Sequence, residues 1–178
     1  MTRRPGWGEG LSYDCPGATH IAEQTWVEAP TGYRRHESGT VLGHGDDVWE
    51  WATHEVLRWG VKTRSGFRVP GQGRDVVRPG QETTVVALLG PCRLREPVRI
   101  IEVVKTENRV GFSYGTRHGH PLAGEEAFIV TRGADGTVRF VLRTLTRRAP
   151  GLGILLWPAV LLLQPVYRRR YRRALRSR

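Results

Sequence analysis

The sequence predicts an α+β domain in which a curved antiparallel sheet grips a long C-terminal helix and leaves a cavity between the two. Three observations lead there: a helical apolar stripe that begins near residue 46, period-two segments joined by tight turns after residue 73, and an uncharged run feeding a basic helix at the C-terminus. With 178 residues, 39% hydrophobic and 25% charged, 22 Gly and 11 Pro, the composition is that of one globular domain over 1–178, which excludes disordered, collagenous and solenoid chains. A domain of this size buries roughly 70% of its unfolded surface, so it needs neither a disulfide framework nor a structural metal. The two cysteines, Cys15 and Cys92, are far apart and form no CxxC pair, which predicts reduced thiols and a cytoplasmic setting. Met1 to Gly10 carries Arg3 and Arg4 with no apolar run behind them, so it does not read as a secretory signal.

The first fifty residues are rich in Gly and turn formers. Gly45-Asp46-Asp47 then reads as a helix start, because acidic groups suit the first turn; Val48, Ala52, Val56 and Trp59 form its buried stripe and Gly60 its stop. Asp47, His54 and Arg58 take the wet face, and Trp49 and Trp51 fall outside the stripe.

Strands are predicted at Thr83–Leu89, Val98–Val104, Arg109–Gly115, Glu125–Thr131 and Thr137–Thr144. Thr106-Glu107-Asn108 closes one hairpin, and Gly133-Ala134-Asp135-Gly136 closes another with residues that tolerate positive φ. Alternation places Val110, Phe112 and Tyr114 on one face, and Val138, Phe140, Leu142 and Thr144 on one face of the last strand. Arg139 and Arg143 point the other way, which predicts a sheet wet on one side and covered on the other.

The net charge of +11 is concentrated in the seven arginines between Arg168 and Arg178, leaving +4 for the rest of the chain. Such a tail can be a solvated helix end, a patch for an anionic membrane surface, or a nucleic-acid contact. Nucleic acid is the least favoured partner, because no aromatic ladder or recognised motif accompanies the charge. Ala149 to Tyr167 carries no charge and is long enough to span a bilayer, but Pro150, Gly151, Gly153, Pro158, Pro165 and Gln164 interrupt it. Arginines also flank both ends, so no orientation is encoded. A packed helix fits better: Leu156, Val160, Leu163, Tyr167, Tyr171 and Leu175 recur at helical spacing. A sheet and helix so arranged enclose the usual kind of small-ligand site.

The run Arg109-Val110-Gly111-Phe112-Ser113-Tyr114-Gly115-Thr116, with His118-Gly119-His120-Pro121 and Gly124-Glu125-Glu126-Ala127-Phe128, closely resembles the hallmark of a bacterial and plant family, the domain of unknown function DUF1990. Leu11-Ser12-Tyr13, Gly17-Ala18-Thr19, Gly32-Tyr33, Trp59 with Gly66-Phe67, and the ending Arg169–Leu175 extend the match over most of the chain. At Leu122-Ala123 the chain departs from the more polar dipeptide expected of the family. The family is similar to the helix-grip (START-like, SRPBCC) superfamily, which includes lipid carriers and polyketide aromatase/cyclases. The resemblance therefore implies a pocket for an apolar small molecule.

Tyr114 to Glu126 gathers a phenol, Arg117, His118, His120 and two carboxylates within thirteen residues. Glu125 and Glu126 are adjacent in a strand and must point to opposite faces, so only one can be inside. Desolvation raises a carboxyl's pKa and histidine titrates near neutrality, so this set can donate and accept protons. Tyr114, His118, His120 and Glu126 are the proton-transfer candidates; Phe112, Arg117, Glu125, Phe128, Phe140 and Trp59 are the candidate ligand contacts. Each has a structural alternative, with Tyr114 as ordinary packing and the His-Pro turn as a rigid loop. His118-x-His120 lacks a placed third metal ligand, and no cofactor or metal is expected. A nucleophile elbow is missing, and Gly71-Gln72-Gly73 is a turn without the residues of a phosphate loop.

The sequence thus points to a cofactor-independent enzyme that cyclises or dehydrates a hydrophobic, oxygenated, polyketide-like metabolite by acid–base action, for example by forming a spiroacetal. A non-catalytic carrier or sensor using the same cavity is the alternative, and a membrane-surface or nucleic-acid protein held by its arginine tail is a third reading.

Overall fold

The computed structural model describes residues 10–71, 75–89, 92–149 and 164–176. Leu156, Val160 and Leu163 of the expected stripe, the Gln72-Gly73 turn, most of the uncharged run and the side chain of Cys92 lie outside the described residues. The elements are β1 (Arg34–His44), α1 (Asp46–Val56), α2 (Gly60–Thr63), β2 (Phe67–Arg68), β3 (Glu82–Leu89), β4 (Cys92–Lys105), β5 (Arg109–Thr116), β6 (Leu122–Arg132) and β7 (Thr137–Arg148). A final helix, α3, spans 164–174.

The strands form one antiparallel sheet in the order β1-β7-β6-β5-β4-β3-β2, so a chain that meanders from β2 to β7 closes by laying β7 against β1. Bulges between Val41 and Gly43 and between Ile100 and Glu102 bend β1 and β4 and sharpen the twist. The result is a curled sheet holding α1, α2 and α3 in its concavity, the helix-grip arrangement. All five predicted strands and both hairpins are present. The edge strand β1 was not expected, because RRHESGTVLGH has little apolar alternation and half its side chains face water.

The concave face carries the main core. Val110, Phe112 and Tyr114 of β5, Phe128 and Val130 of β6, and Val138, Phe140 and Leu142 of β7 pack against Ala52 and Val56 of α1 and against Tyr171, Ala174 and Leu175 at the C-terminus. Each step of two along a strand returns to this face, as the alternation predicts. The helical stripe needs one correction. α1 ends at Val56, and the left-handed residue that turns the chain is Trp59, at φ 64°, not Gly60. Gly60 instead begins α2, and its hydrogen is required: a Cβ there would lie 2.7 Å from the carbonyl oxygen of Glu55.

The expectation of one wet face is also corrected. Residues before β1 cross the convex side as a strap, burying Leu11 and Tyr13 with Ile101 and Ala123, and Ile21 with Ala127 and Ile129. Arg143, expected in water, is 1% exposed. Its guanidinium donates to the carbonyl oxygens of Thr19 (3.1 Å), His20 (2.6 Å), Glu23 (3.0 Å) and Gln24 (3.1 Å), and pairs with Glu37 at 2.6 Å. A planar fork of five donors suits this task, since the strap lacks a sheet ladder of its own to satisfy those carbonyls.

Replacing Arg143 with Met should therefore destabilise the fold by about 3 kcal/mol or more, because it removes five charge-assisted hydrogen bonds and leaves the buried Thr19 carbonyl and three part-buried carbonyls unanswered. Urea unfolding measures this. A loss under about 1 kcal/mol would show that the strap is held by its apolar contacts alone.

Candidate functional site

A cavity of about 130 Å³ opens between α2, α3 and strands β3 to β7. Its apolar wall includes Phe67, Ala87, Leu94, Pro121 and Leu122, and its polar groups come from Lys62, Glu96, Tyr114, His120, Glu126, Arg168 and Tyr171. The volume is close to the roughly 150 Å³ of an engineered protein cavity that takes up benzene, so a single ring or an equally compact chain fits.

Lys62 is the centre of the arrangement. The left-handed turn at Trp59 and the close approach at Gly60 aim the four-residue α2 into the concavity, where Lys62 is 4% exposed. Its ammonium donates to the Tyr171 hydroxyl at 2.7 Å and pairs with the Glu126 carboxylate at 3.1 Å. Four rings surround it, with centroids at 4.3 Å (Phe67), 4.9 Å (Tyr171), 5.3 Å (Tyr114) and 6.0 Å (Phe128). Ring faces, a phenol and one carboxylate thus replace the water that a buried cation loses.

Tyr114 donates its hydroxyl to Glu126 through a short hydrogen bond. Burial, followed by the neighbouring Glu126 charge, raises the phenols of both Tyr114 and Tyr171 well above their ordinary value, so both stay protonated; Tyr114 donates to Glu126 while Tyr171 accepts from Lys62. Glu96 projects from β4 opposite Val85. Burial pushes its carboxyl up from 4.5 to about 7, with Lys62 opposing and Glu126 reinforcing the shift. Among the described residues its carboxyl takes part in no hydrogen bond or ion pair. His120 is half-buried, and burial together with the Lys62 charge holds it down at about 3, so it is neutral. Its Nδ1 lies 2.9 Å from the Leu122 amide nitrogen and 3.0 Å from the Leu122 carbonyl oxygen, so the Leu122 backbone answers this nitrogen in either tautomer.

The site residues named from the sequence separate cleanly. Tyr114, His120 and Glu126 meet at the cavity. His118 is exposed and is not among the lining residues. Arg117 is tied to Glu82 at 2.7 Å, away from the cavity. Phe112, Phe128 and Phe140 are core beneath it, and Trp59 stands behind Tyr114 with ring centroids 5.2 Å apart.

Glu125 touches the cavity, but its carboxyl lies on the convex face. There it accepts from the Tyr13 hydroxyl (2.8 Å), the Gly17 amide (2.8 Å) and the Thr19 hydroxyl. Gly115 opposite leaves room for that phenol: a Cβ would sit 2.2 Å from the Tyr13 oxygen. Sequence reading missed Lys62 and Glu96, which lie outside the dense Tyr114–Glu126 segment. Among the described residues no group of three or more His, Cys, Asp or Glu side chains is placed to hold a metal ion, and no helix is long and apolar enough to cross a membrane.

Residues 13–174 match the family model described as Domain of unknown function (DUF1990), and the chain belongs to that family. The chain is 33% identical over 145 residues to the UPF0548 protein of Deinococcus radiodurans, a match covering 74% of this chain and 73% of that protein. Among solved structures it is similar to the hypothetical protein jhp0584 of Helicobacter pylori, with TM-score 0.57, 9% identity and coverage of 80% and 85% of the two chains. At that identity the likeness is one of fold alone. Ara h 8.0201 matches with TM-score 0.48 and 12% identity, over 81% of this chain and 98% of that one.

The two shifted groups act on stability in opposite directions. Glu96 is raised, so its contribution is fully present below about 4.5 and is lost as pH rises through about 7. His120 is depressed, so its contribution is present above 6.5 and is lost as pH falls toward about 3. Side-chain NMR should find a Glu96 carboxyl midpoint near 7, and a His120 ring that keeps its neutral shift down to about pH 5. Glu96→Gln should abolish the loss of stability that this carboxyl causes between pH 4.5 and about 7. A Glu96 midpoint near 4.5 would mean that the carboxyl is hydrated rather than cavity-bound.

Proposed function

We propose that this member of the DUF1990 family binds a small, apolar, oxygenated molecule in the cavity and catalyses its cyclisation or dehydration by proton transfer, without a cofactor. The observation that carries this reading is the placement of Glu96: its carboxyl lines the cavity, takes part in no hydrogen bond or ion pair among the described residues, stands near a pre-paired Lys62–Glu126–Tyr114 network, and is pushed up by burial to about 7. A group poised near neutrality is half acid and half base, the condition under which one residue can both give and take a proton efficiently.

Spiroacetal formation illustrates the chemistry. A hydroxyl adds to the ketone of the same molecule to give a hemiacetal. The Glu96 carboxyl protonates the hemiacetal hydroxyl, which leaves as water. The second hydroxyl then attacks the resulting oxocarbenium carbon and gives its proton to the Glu96 carboxylate, restoring the acid. Lys62, already held by Glu126 and Tyr171, keeps a third N–H for the negative charge that the ketone oxygen gains as the first hydroxyl adds, while Tyr114, its one proton committed to Glu126, orients that carboxylate. Tyr171 and His120 complete the polar surface that orients the chain, while the apolar wall excludes water from the cation.

The test uses dipropyl ketone hydroxylated at both chain ends, which closes to a compact bicyclic acetal. Formation of that acetal, followed by gas chromatography, should be faster with the protein than without it. Glu96→Gln should lower turnover by about 100-fold or more with ligand affinity retained, as expected for loss of a general acid. Affinity without product in the unmodified protein would assign the cavity to a carrier. Turnover unaffected by Glu96→Gln would remove Glu96 from the mechanism.

A further inference from the structure

The rim of the cavity gathers cations that form no ion pair with a carboxylate among the described residues. Thr144 and Thr146 of β7 line the cavity, and their partners on the edge strand β1 are His36 and Arg34. Directly opposed residues share a face, so both project on the concave side. Arg148 continues the same face two residues beyond Thr146. From α3, Arg168 lines the cavity and reaches Thr144 Oγ1 at 3.5 Å and Gln164 Oε1 at 3.4 Å, both long contacts. Arg172 follows one turn later and is exposed.

The groups from the two elements feel one another. His36 is held below its ordinary range by burial and then by the Arg168 and Arg172 charges, and Arg34 opposes the charge on Arg168. Glu126 attracts Arg168 but is already engaged by Lys62 and Tyr114. Among the described residues none of Arg34, Arg148, Arg168 and Arg172 forms a salt bridge, whereas Arg99, Arg117, Arg132, Arg143 and Arg147 each do.

We propose that Arg34, Arg168 and Arg172, with His36 and Arg148 beside them, bind the anionic end of an amphipathic molecule, a carboxylate or phosphate, whose apolar part occupies the cavity. The inference rests on the cavity being a ligand site, and it adds the ligand's charge. Inside, Lys62 is neutralised by Glu126, so a ligand's negative charge has no deeper partner and must stop at the rim. Guanidinium groups suit both anions, since their donors match two oxygens at once.

The experiment compares phenylbutyrate with phenylbutanol, which share a ring and chain and differ in the terminal group. Calorimetry on the full chain should find the acid bound about 10-fold or more tightly, with only the acid weakened by salt. Arg168→Gln, and separately Arg34→Gln with Arg172→Gln, should bring the acid down to the alcohol's affinity. Unchanged alcohol binding by the Arg34→Gln, Arg172→Gln variant, and an unchanged thermal midpoint for Arg168→Gln, report that these variants are folded. Equal affinities for both probes, insensitive to the arginine variants, would overturn the anionic rim and leave the apolar cavity standing; binding of neither would overturn both. Phosphatidylcholine vesicles with and without phosphatidylglycerol distinguish the anion's source. Capture that requires phosphatidylglycerol and is competed by phenylbutyrate identifies a lipid headgroup, and competitive binding without capture identifies a soluble anion. Capture that phenylbutyrate leaves untouched but the variants abolish assigns the arginines to a membrane surface and refutes the ligand site.

Discussion

The ion pair between Lys62 and Glu126 is the constraint around which the concave side is built. An ammonium taken out of water costs several kcal/mol unless its charge and its donors are answered, and an apolar sheet face offers neither. The fold supplies them from three directions. Glu126 comes from β6, Tyr171 from α3, and the rings of Phe67, Tyr114 and Phe128 close around the cation. Placing Lys62 there requires α2, and α2 requires the left-handed turn at Trp59 and the hydrogen of Gly60. A non-glycine residue with positive φ is held at some cost, which the Trp59 ring offsets by packing on Phe112 and Tyr114. The same requirement keeps the cavity open, because groups that need specific polar partners cannot be covered by further aliphatic side chains.

The convex side solves a different problem with the same chemistry. A sheet this curved exposes its outer face, and the chain covers it with a strap that has little regular structure. Backbone carbonyls in such a segment must find donors elsewhere, and Arg143 provides them. Glu125 performs the reciprocal task, accepting from the amide of Gly17 and the hydroxyls of Tyr13 and Thr19. Two adjacent glutamates therefore serve opposite faces, one fastening the strap and the other holding the cavity's cation. The strand's period of two separates the roles without any loop between them.

Much of this was legible in the sequence, and the limits are physical. The strands and hairpins follow from period-two alternation and turn residues, because a half-buried strand must alternate. The division between Glu125 and Glu126 follows from the same rule. Arg143 was placed in water because alternation reports which face a residue occupies, not whether a distant segment covers that face. Lys62 lies in a four-residue helix that is too short to display a period, and its burial depends on rings from β2, β5, β6 and α3. Glu96 sits between Arg95 and Pro97, a local pattern that reads as a solvated edge, and only the curl of β4 over the cavity makes it a half-buried acid that lines it. His118 and His120 looked equivalent, yet Gly119 at φ 90° turns one outward and the other toward the cavity.

The distribution of charge gives the site a direction. Deep in the cavity the positive Lys62 and negative Glu126 cancel, and Glu96 near its midpoint carries on average less than a full charge at neutral pH. At the rim, among the described residues, the charged groups without an ion-pair partner that face the cavity are the cationic Arg34, Arg148, Arg168 and Arg172. In a medium of low effective dielectric, a molecule entering with a carboxylate or phosphate gains by leaving that end among the arginines, and it loses by driving the charge past them toward Glu126. Its neutral end is then delivered to Glu96, where a proton can be exchanged with oxygen. An arrangement that fixes one end of a flexible chain by charge and the other by shape removes the alternative orientations that a purely apolar hollow of about 130 Å³ would tolerate. Orientation, more than affinity, is what a cationic rim adds to an acid held at the far end.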